Sequence, residues 1–296
     1  MTNPQLAVVH QFITAQLTGS TDLSVEGMRN SLDAAGKLAP PLPGVTCEVV
    51  DTGVVRSEWF RPDEADEART ILFVHGGGYM LGSIDSHRDL TSRVALASGA
   101  NTLSIEYRRA PESPFPAGLD DVVASYRWLV ETAGKDPSKI ALVGDSAGAG
   151  LVLGATLRIR DEGPLALPGA LVCMSPWTDL TCTSSSLATA EDPSAQAPYV
   201  AMMAQAYLGG ADPKHPLASP LFADPAGLPP ILLQAGAAEA LRDDSERLAA
   251  RCKEAGVDVT LELWDEMFHA FQLWAGMLDE GKRAIEHIGA FVRAKI

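Results

Sequence analysis

Positive charge is scarce in this 296-residue chain, where 23 Lys and Arg stand against 38 Asp and Glu, giving a formal net charge of −15. A field of that sign repels phosphate backbones, and no local Lys/Arg cluster reverses it, so nucleic acid is excluded as the expected partner. Long apolar runs are missing too. No stretch approaches the roughly 18 residues of a membrane span, and residues 1–12 lack the basic start and continuous apolar run of a signal peptide. The expectation is no membrane association and a cytoplasmic location. Cysteine is sparse: Cys47, Cys173, Cys182 and Cys252 are scattered with no C-x-x-C spacing. That excludes a zinc site and a disulfide framework and leaves buried free thiols as the reading. Internal repeats and low-complexity tracts are absent as well.

What is present is the composition of an ordinary globular protein, 46% hydrophobic and 21% charged. The length sits at the upper end of what one core supports, which predicts one domain with insertions. Short apolar runs at 45–50, 54–60, 71–74, 101–105, 140–143, 170–174, 231–234 and 257–263 read as strands. Asp51, Thr52 and Gly53 form a turn signal between the first two, so these read as an antiparallel edge hairpin. From Ile71 the strands alternate with helical patterns at 86–98, 118–132, 147–160, 243–255 and 280–292. Such alternation requires a mostly parallel sheet covered by helices. Two segments break it. Residues 4–38 read as two helices before a Pro-rich joint, and 181–230 is too long for a simple connection and suggests its own helix near 199–208. Both are expected to form a cap. The division is then 1–42 for amino-terminal cap helices, 43–180 and 226–296 for the α/β body, and 181–225 for the cap insertion.

Gly144-Asp145-Ser146-Ala147-Gly148 stands between an apolar strand and a helix, the context that makes G-x-S-x-G a nucleophile elbow. The pentapeptide alone is a weak signal, since this composition produces it by chance roughly 0.15 times per chain. An N-capping serine in a glycine-rich turn would look the same. A second run is far rarer: His75-Gly76-Gly77-Gly78 is expected by chance roughly 0.004 times. It follows the strand 71–74, and three glycines leave backbone N–H groups free to face a cavity, as stabilising an alkoxide oxygen demands. Phosphate binding is the rival reading of that loop, but no Lys and Ser/Thr pair follows in P-loop spacing. The N–H of Ala147, at a helix start, supplies a further donor aimed by the helix dipole.

A serine hydroxyl needs a base, and the base an orienting carboxylate. Of six histidines, only His269 lies in a loop just after the final strand, where the order Ser, acid, His predicts it. His75 reads as a scaffold that fixes the glycine loop. His10, His87, His215 and His287 read as surface or packing residues, with no metal-ligand spacing among them. The acid belongs a few residues beyond the strand 231–234, and Glu239, Asp243 and Asp244 are the options. Asp243 with Glu246 spells a D-x-x-E capping box, which gives that carboxylate a structural task. Glu239 has no such task and stands among alanines, so it is the preferred acid. Tyr79, Tyr199, Met202, Met203 and Phe271 are candidate pocket walls, although such a set is more often core packing.

These residues resemble the bacterial hormone-sensitive-lipase family of α/β-hydrolase esterases, also called family IV. The resemblance runs from about Val45 to the carboxyl end, through HGGGY (75–79), YRRAPESPFPAGLDD (107–121), GDSAGAG (144–150), SPWTDLT (175–181) and EMFHAF (266–271). It implies an α/β-hydrolase fold with an eight-stranded mostly parallel sheet and a helical cap. It implies that Ser146 attacks a carboxylic ester, that His269 relays protons, and that Gly77, Gly78 and Ala147 donate the oxyanion hydrogen bonds. Where the family usually reads D-P-L-x-D, this chain has Glu239-Ala240-Leu241-Arg242-Asp243, so the acid role passes to Glu239. Ala270 stands where Gly is commoner, with little backbone consequence expected. The reaction so implied uses a small-molecule ester and no cofactor, and pairing as a homodimer through the last strand or helix is common among relatives. Lactone or amide opening by the same machinery is the neighbouring reading, and a binding protein on a dead hydrolase fold the distant one.

Overall fold

The near-continuous apolar runs become the interior strands of one sheet because each must bury both of its faces. A computed structural model describes residues 3–19, 22–38 and 42–296, so the Pro-rich joint expected near 39–41 lies outside the described residues. Eight strands form the sheet: β1 Val45–Asp51, β2 Arg56–Pro62, β3 Asp66–Val74, β4 Ala100–Ile105, β5 Ile140–Asp145, β6 Ala170–Met174, β7 Ile231–Gly236 and β8 Val259–Trp264. Their spatial order is β1-β2-β4-β3-β5-β6-β7-β8. β2 runs antiparallel to β1 and to β4, and every other neighbour is parallel. The edge hairpin expected from the Asp51-Thr52-Gly53 turn is present, closed by the Gly53 N–H donating to Asp51 Oδ1 at 2.9 Å.

Alternation along the strands divides the core in two. Leu72 and Val74 of β3, Ile140 and Leu142 of β5, Leu171 and Cys173 of β6, and Ile231 and Leu233 of β7 face one layer. That layer belongs chiefly to helices α4 Ala117–Arg127, α5 Ala147–Glu162 and α8 Arg242–Glu254. Ile71, Phe73, Ala141, Val143, Val172 and Leu232 face the other, covered by α3 Arg88–Ser98 and α9 Asp279–Lys295. A buried Leu or Phe contributes about 1.5–3 kcal/mol. The two-sided core therefore fixes which way each strand end points, and so where the loops carrying polar groups emerge.

Four further α-helices stand among the described residues: α1 Pro4–Gly19 and α2 Val25–Leu38 before the sheet, and α6 Ser185–Thr189 and α7 Ala197–Leu208 between β6 and β7. Val9 and Ile13 of α1 pack on Met267, Phe268 and Phe271, the residues around His269. Arg29 of α2 donates to the carbonyls of Met80 and Ala110 at 2.8 and 2.9 Å and forks onto Glu112 at 2.7 and 2.8 Å. Tyr207 of α7 stacks on Tyr79 with ring centroids 3.7 Å apart.

Local expectations shift at several points. β3 begins at Asp66 rather than Ile71, because Asp66 pairs with Ala100 and the ladder resumes at Thr70 after a register shift that no apolar run announces. The pattern 118–132 divides into α4 and a π turn, Trp128–Thr132. The Asp243–Glu246 capping box does not form. α8 starts at Arg242 after Leu241, which makes no side-chain cap, and the Asp243 carboxylate instead accepts the Ser185 O–H at 2.8 Å and the Ser186 N–H at 2.9 Å. Tertiary partners from the 181–225 segment outcompete the local cap. Of the cysteines, Cys173 and Cys252 are buried thiols, whereas Cys47 and Cys182 are half-buried.

Candidate active site

The chain passes from β3 to β4 on one side of the sheet, then crosses to β5 on the other, so a crevice opens at the carboxyl ends of the adjacent strands β3 and β5. The His75–Gly78 loop leaves β3 there and Ser146 follows β5. Glu239 follows β7 and His269 follows β8. Residues far apart in sequence thus share one end of one sheet.

Ser146 has φ +52° and ψ −119°, a conformation L side chains rarely adopt, costing on the order of 1–3 kcal/mol. The surrounding backbone holds it there. Its N–H donates to the Met174 carbonyl at 2.8 Å, and its own carbonyl accepts from Gly150 and Trp177, both at 3.1 Å. The turn is tight enough that a Cβ on Gly144 would sit 2.6 Å from the Gly148 carbonyl carbon, and one on Gly148 would sit 2.8 Å from that of His75. Only glycine fits at either place, which explains the two glycines of the pentapeptide.

His269 Nε2 lies 2.9 Å from Ser146 Oγ, with the ring buried. Glu239 is 1% exposed. Its Oε2 accepts the Ser175 O–H at 2.6 Å and the Gly236 N–H at 2.8 Å. Its other oxygen faces His269 Nδ1 at 3.7 Å, an ion-pair distance beyond hydrogen-bond reach. Burial works against a charge on the His269 ring, but Glu239, with Asp192 and Asp145 farther off, outweighs it and raises the ring above the ordinary imidazole value. Asp243 and Asp244 spend their carboxylates elsewhere. Asp243 holds Ser185 and Ser186, and Asp244 accepts the N–H groups of Thr178 and Asp179 at 2.7 and 2.9 Å.

Gly77 and Gly78 have φ +112° and +61°, left-handed backbone that leaves the loop to glycine. Among the described residues, the N–H groups of Gly77, Gly78 and Ala147 donate to no protein acceptor. Their neighbourhood is crowded: a Cβ on Gly78 would strike Met203 of α7. His75 is fully buried, stacked on Tyr107 at 4.4 Å, and its Nδ1 is 2.8 Å from the Gly76 carbonyl. Burial pulls that ring down to about 3, so it is neutral and donates from Nδ1.

Two residues near the site carried no functional reading in the sequence. Ser175, inside the SPWTDLT run, has φ +44° and donates to Glu239 while accepting the Ala270 N–H at 3.0 Å. Asp192, buried in the segment between β6 and β7, takes the N–H groups of His269 and Ala240 on one oxygen at 2.9 and 3.0 Å. The position in a motif marked the first. Nothing local marked the second. Ala270 adopts φ +54° and ψ +38°, so the alanine stands in a left-handed position after all, with a cost of about 1 kcal/mol relative to glycine. Of the pocket-wall residues, Tyr79 and Phe271 belong to the core, Met203 is half-buried, and Tyr199 and Met202 are exposed on the outer side of α7. His10 packs edge-on to Phe268, His215 lies against Phe115, and His287 is exposed beside Glu262. His87 is buried against Asp145. Among the described residues no group of His, Cys, Asp and Glu could hold a metal ion.

Comparison with known proteins agrees with the geometry. Residues 71–273 match the α/β hydrolase fold family. An acetyl-hydrolase of Streptomyces hygroscopicus is 46% identical over 300 aligned positions, covering 99% of this chain and 97% of that protein. An esterase of Acinetobacter venetianus is 34% identical, covering 94% and 92%. The crystal structure of an esterase from the bacterial hormone-sensitive lipase family superposes with a TM-score of 0.95 at 43% identity, over 100% of this chain and 99% of that one. The chain therefore belongs to the α/β-hydrolase fold family and, within it, to the bacterial carboxylesterases of the hormone-sensitive-lipase type.

Proposed function

We propose that this esterase hydrolyses small, short-acyl carboxylic esters through an acyl-enzyme on Ser146. The observation that carries the reading is the 2.9 Å contact between Ser146 Oγ and His269 Nε2. His269 Nε2 takes the Ser146 proton as Oγ bonds to the ester carbonyl carbon. The carbonyl oxygen becomes an anion between the N–H groups of Gly77, Gly78 and Ala147. Collapse expels the alcohol, which leaves with the proton from His269. Water then attacks the acyl group in the mirror sequence and frees Ser146.

Glu239 holds the other side of the imidazole. Its reach to His269 is 3.7 Å, and such contacts tighten when the ring becomes charged. Residues 1–42 and 181–225 form a cap over the body in this reading. Supporting it, α1 packs on the residues around His269, α2 ties to the loops at Met80 and Glu112, and α7 lies on Gly78 and Tyr79. A small acyl group suits the close approach of Met203 to the donor loop, and the Streptomyces relative is named for acetyl hydrolysis.

The test is Ser146→Ala assayed with p-nitrophenyl acetate, p-nitrophenyl butyrate, a lactone and an anilide. The expected result is loss of several orders of magnitude with the esters, and parent kcat/KM highest for acetate. Ester turnover by Ser146→Ala at the parent rate would sink the mechanism. A lactone or anilide preferred by the parent would replace the substrate class.

A further inference from the structure

Asp145, the residue before Ser146, turns its side chain away from the crevice and into the base of the glycine loop. The residue is 2% exposed. Oδ1 accepts the Gly76 N–H at 2.9 Å, and Oδ2 lies 3.3 Å from Nε2 of His87, which is also buried and stands 3.3 Å from the same Gly76 nitrogen. The far side of the His87 ring is held in turn, its Nδ1 2.9 Å from Ser86 Oγ, which receives the Ser83 N–H at 2.8 Å. A Cβ on Gly76 would collide with the Asp145 carboxylate, whose Cγ would be 3.0 Å away. The contact is therefore shaped for glycine on one side and a short acid on the other.

The peptide geometry gives this anchor a consequence. A trans peptide points its carbonyl and its N–H in opposite directions. In the peptide joining His75 to Gly76, Asp145 holds the N–H and the Tyr107 hydroxyl donates to the carbonyl at 3.1 Å. In the next peptide, the Gly76 carbonyl accepts from His75 Nδ1 at 2.8 Å, which leaves the Gly77 N–H facing the opposite way. Two consecutive peptide planes are pinned at three of their four polar groups, and the fourth is the donor.

We propose that Asp145, backed by His87, is a positioning residue that aims the Gly77 and Gly78 amides at the reacting carbonyl, locking the donor loop to the strand that carries the nucleophile. The nucleophile and its oxyanion donors then share one rigid origin at the end of β5, so a strain that moved one would move the other. The pairing also has an electrostatic sense. A buried carboxylate next to a developing oxyanion would oppose it, and placing the second oxygen on an imidazole and the first on a backbone N–H spends that charge locally. This inference rests on the oxyanion-hole reading given above.

The experiment compares Asp145→Ala and Asp145→Asn with the parent on p-nitrophenyl acetate. kcat is expressed per active site, titrated to completion with a fluorophosphonate, and affinity for a trifluoromethyl ketone is measured alongside. The ketone forms a tetrahedral adduct whose oxygen needs the same donors. Losing one oxyanion donor outright costs about 10²–10³, so misaiming the pair in Asp145→Ala should lower per-site kcat by about 10- to 100-fold. KM should stay within about threefold, and the ketone inhibition constant should rise by the same factor as kcat falls. Asp145→Asn keeps an oxygen for Gly76 but loses the charge, so a loss of about 3- to 10-fold is expected. A merely structural role would reduce the number of titratable sites and leave both per-site readouts alone. Per-site kcat and ketone affinity within twofold of the parent, or a loss carried by KM alone, would overturn the proposal; if Asp145→Ala does not fold, Asp145→Asn decides it by the same readouts. An active Ser146→Ala would instead remove the reading underneath, so the two failures are distinguishable.

Discussion

The imidazole of His269 is pulled in two directions, and the balance can be read from a pH profile. Burial disfavours its charged form, while the Glu239 carboxylate across 3.7 Å favours it and leaves the ring above the ordinary value of 6.5. Only the neutral ring can accept the Ser146 proton, so kcat/KM should rise with pH along a limb centred above 6.5. Glu239→Gln removes the attraction and leaves the burial, so that limb should move downward while kcat falls by about 10² or more. A limb that stays in place would remove Glu239 from the role of acid. The same shift bears on stability with the opposite sign. A histidine raised on folding contributes stability that is fully present below its unfolded value and is lost as pH rises through the folded one. The protein is thus most active where this pair stabilises it least. Ala270, next in the chain and left-handed, adds a local cost at the same corner.

Among the elements, the start of α8 carries a second buried acid with a different task. Asp244 accepts the N–H groups of Thr178 and Asp179, tying α8 to the loop after β6, and burial together with the nearby Asp179 pushes its carboxyl up to about 7. An acid raised on folding stabilises the fold below its unfolded value, and that contribution is lost as pH rises through the folded one. Asp244→Asn keeps an oxygen for both amides without the ionisation. The melting temperature of Asp244→Asn minus that of the parent should therefore increase from pH 5 to pH 8 by a few degrees; a flat difference would show that the carboxyl does not titrate in that range. This element also marks where the sequence stopped being legible. The interior strands were plain because two-sided burial writes an unbroken apolar run, as in Ile140 to Val143. The glycine loop and elbow were plain because close backbone approach admits one residue type. The polar start of β3, the fate of Asp243 and the Asp192 contact depend on partners far away in the chain, and no local pattern encodes a distant partner. His87 read as a bland histidine for the same reason: its importance lies in Asp145, 58 positions on.

At the scale of the whole molecule, the formal net charge of −15 acts on whatever approaches the crevice. Such a field lowers the local concentration of anions and leaves neutral molecules alone, and salt screens it over a Debye length of about 10 Å at 0.1 M. Substrate charge should therefore matter alongside the fit of the acyl group. With a hemisuccinate ester, whose free carboxylate carries one negative charge, KM should fall about two- to fivefold between roughly 10 and 200 mM NaCl as the field is screened. A neutral acetate ester measured in parallel should show no change in KM, and kcat for both should stay level, because the charges doing the repelling lie outside the buried reacting groups. If the two esters respond to salt alike, selection at the crevice is set by contact within it and the acidic surface plays no part in choosing substrates.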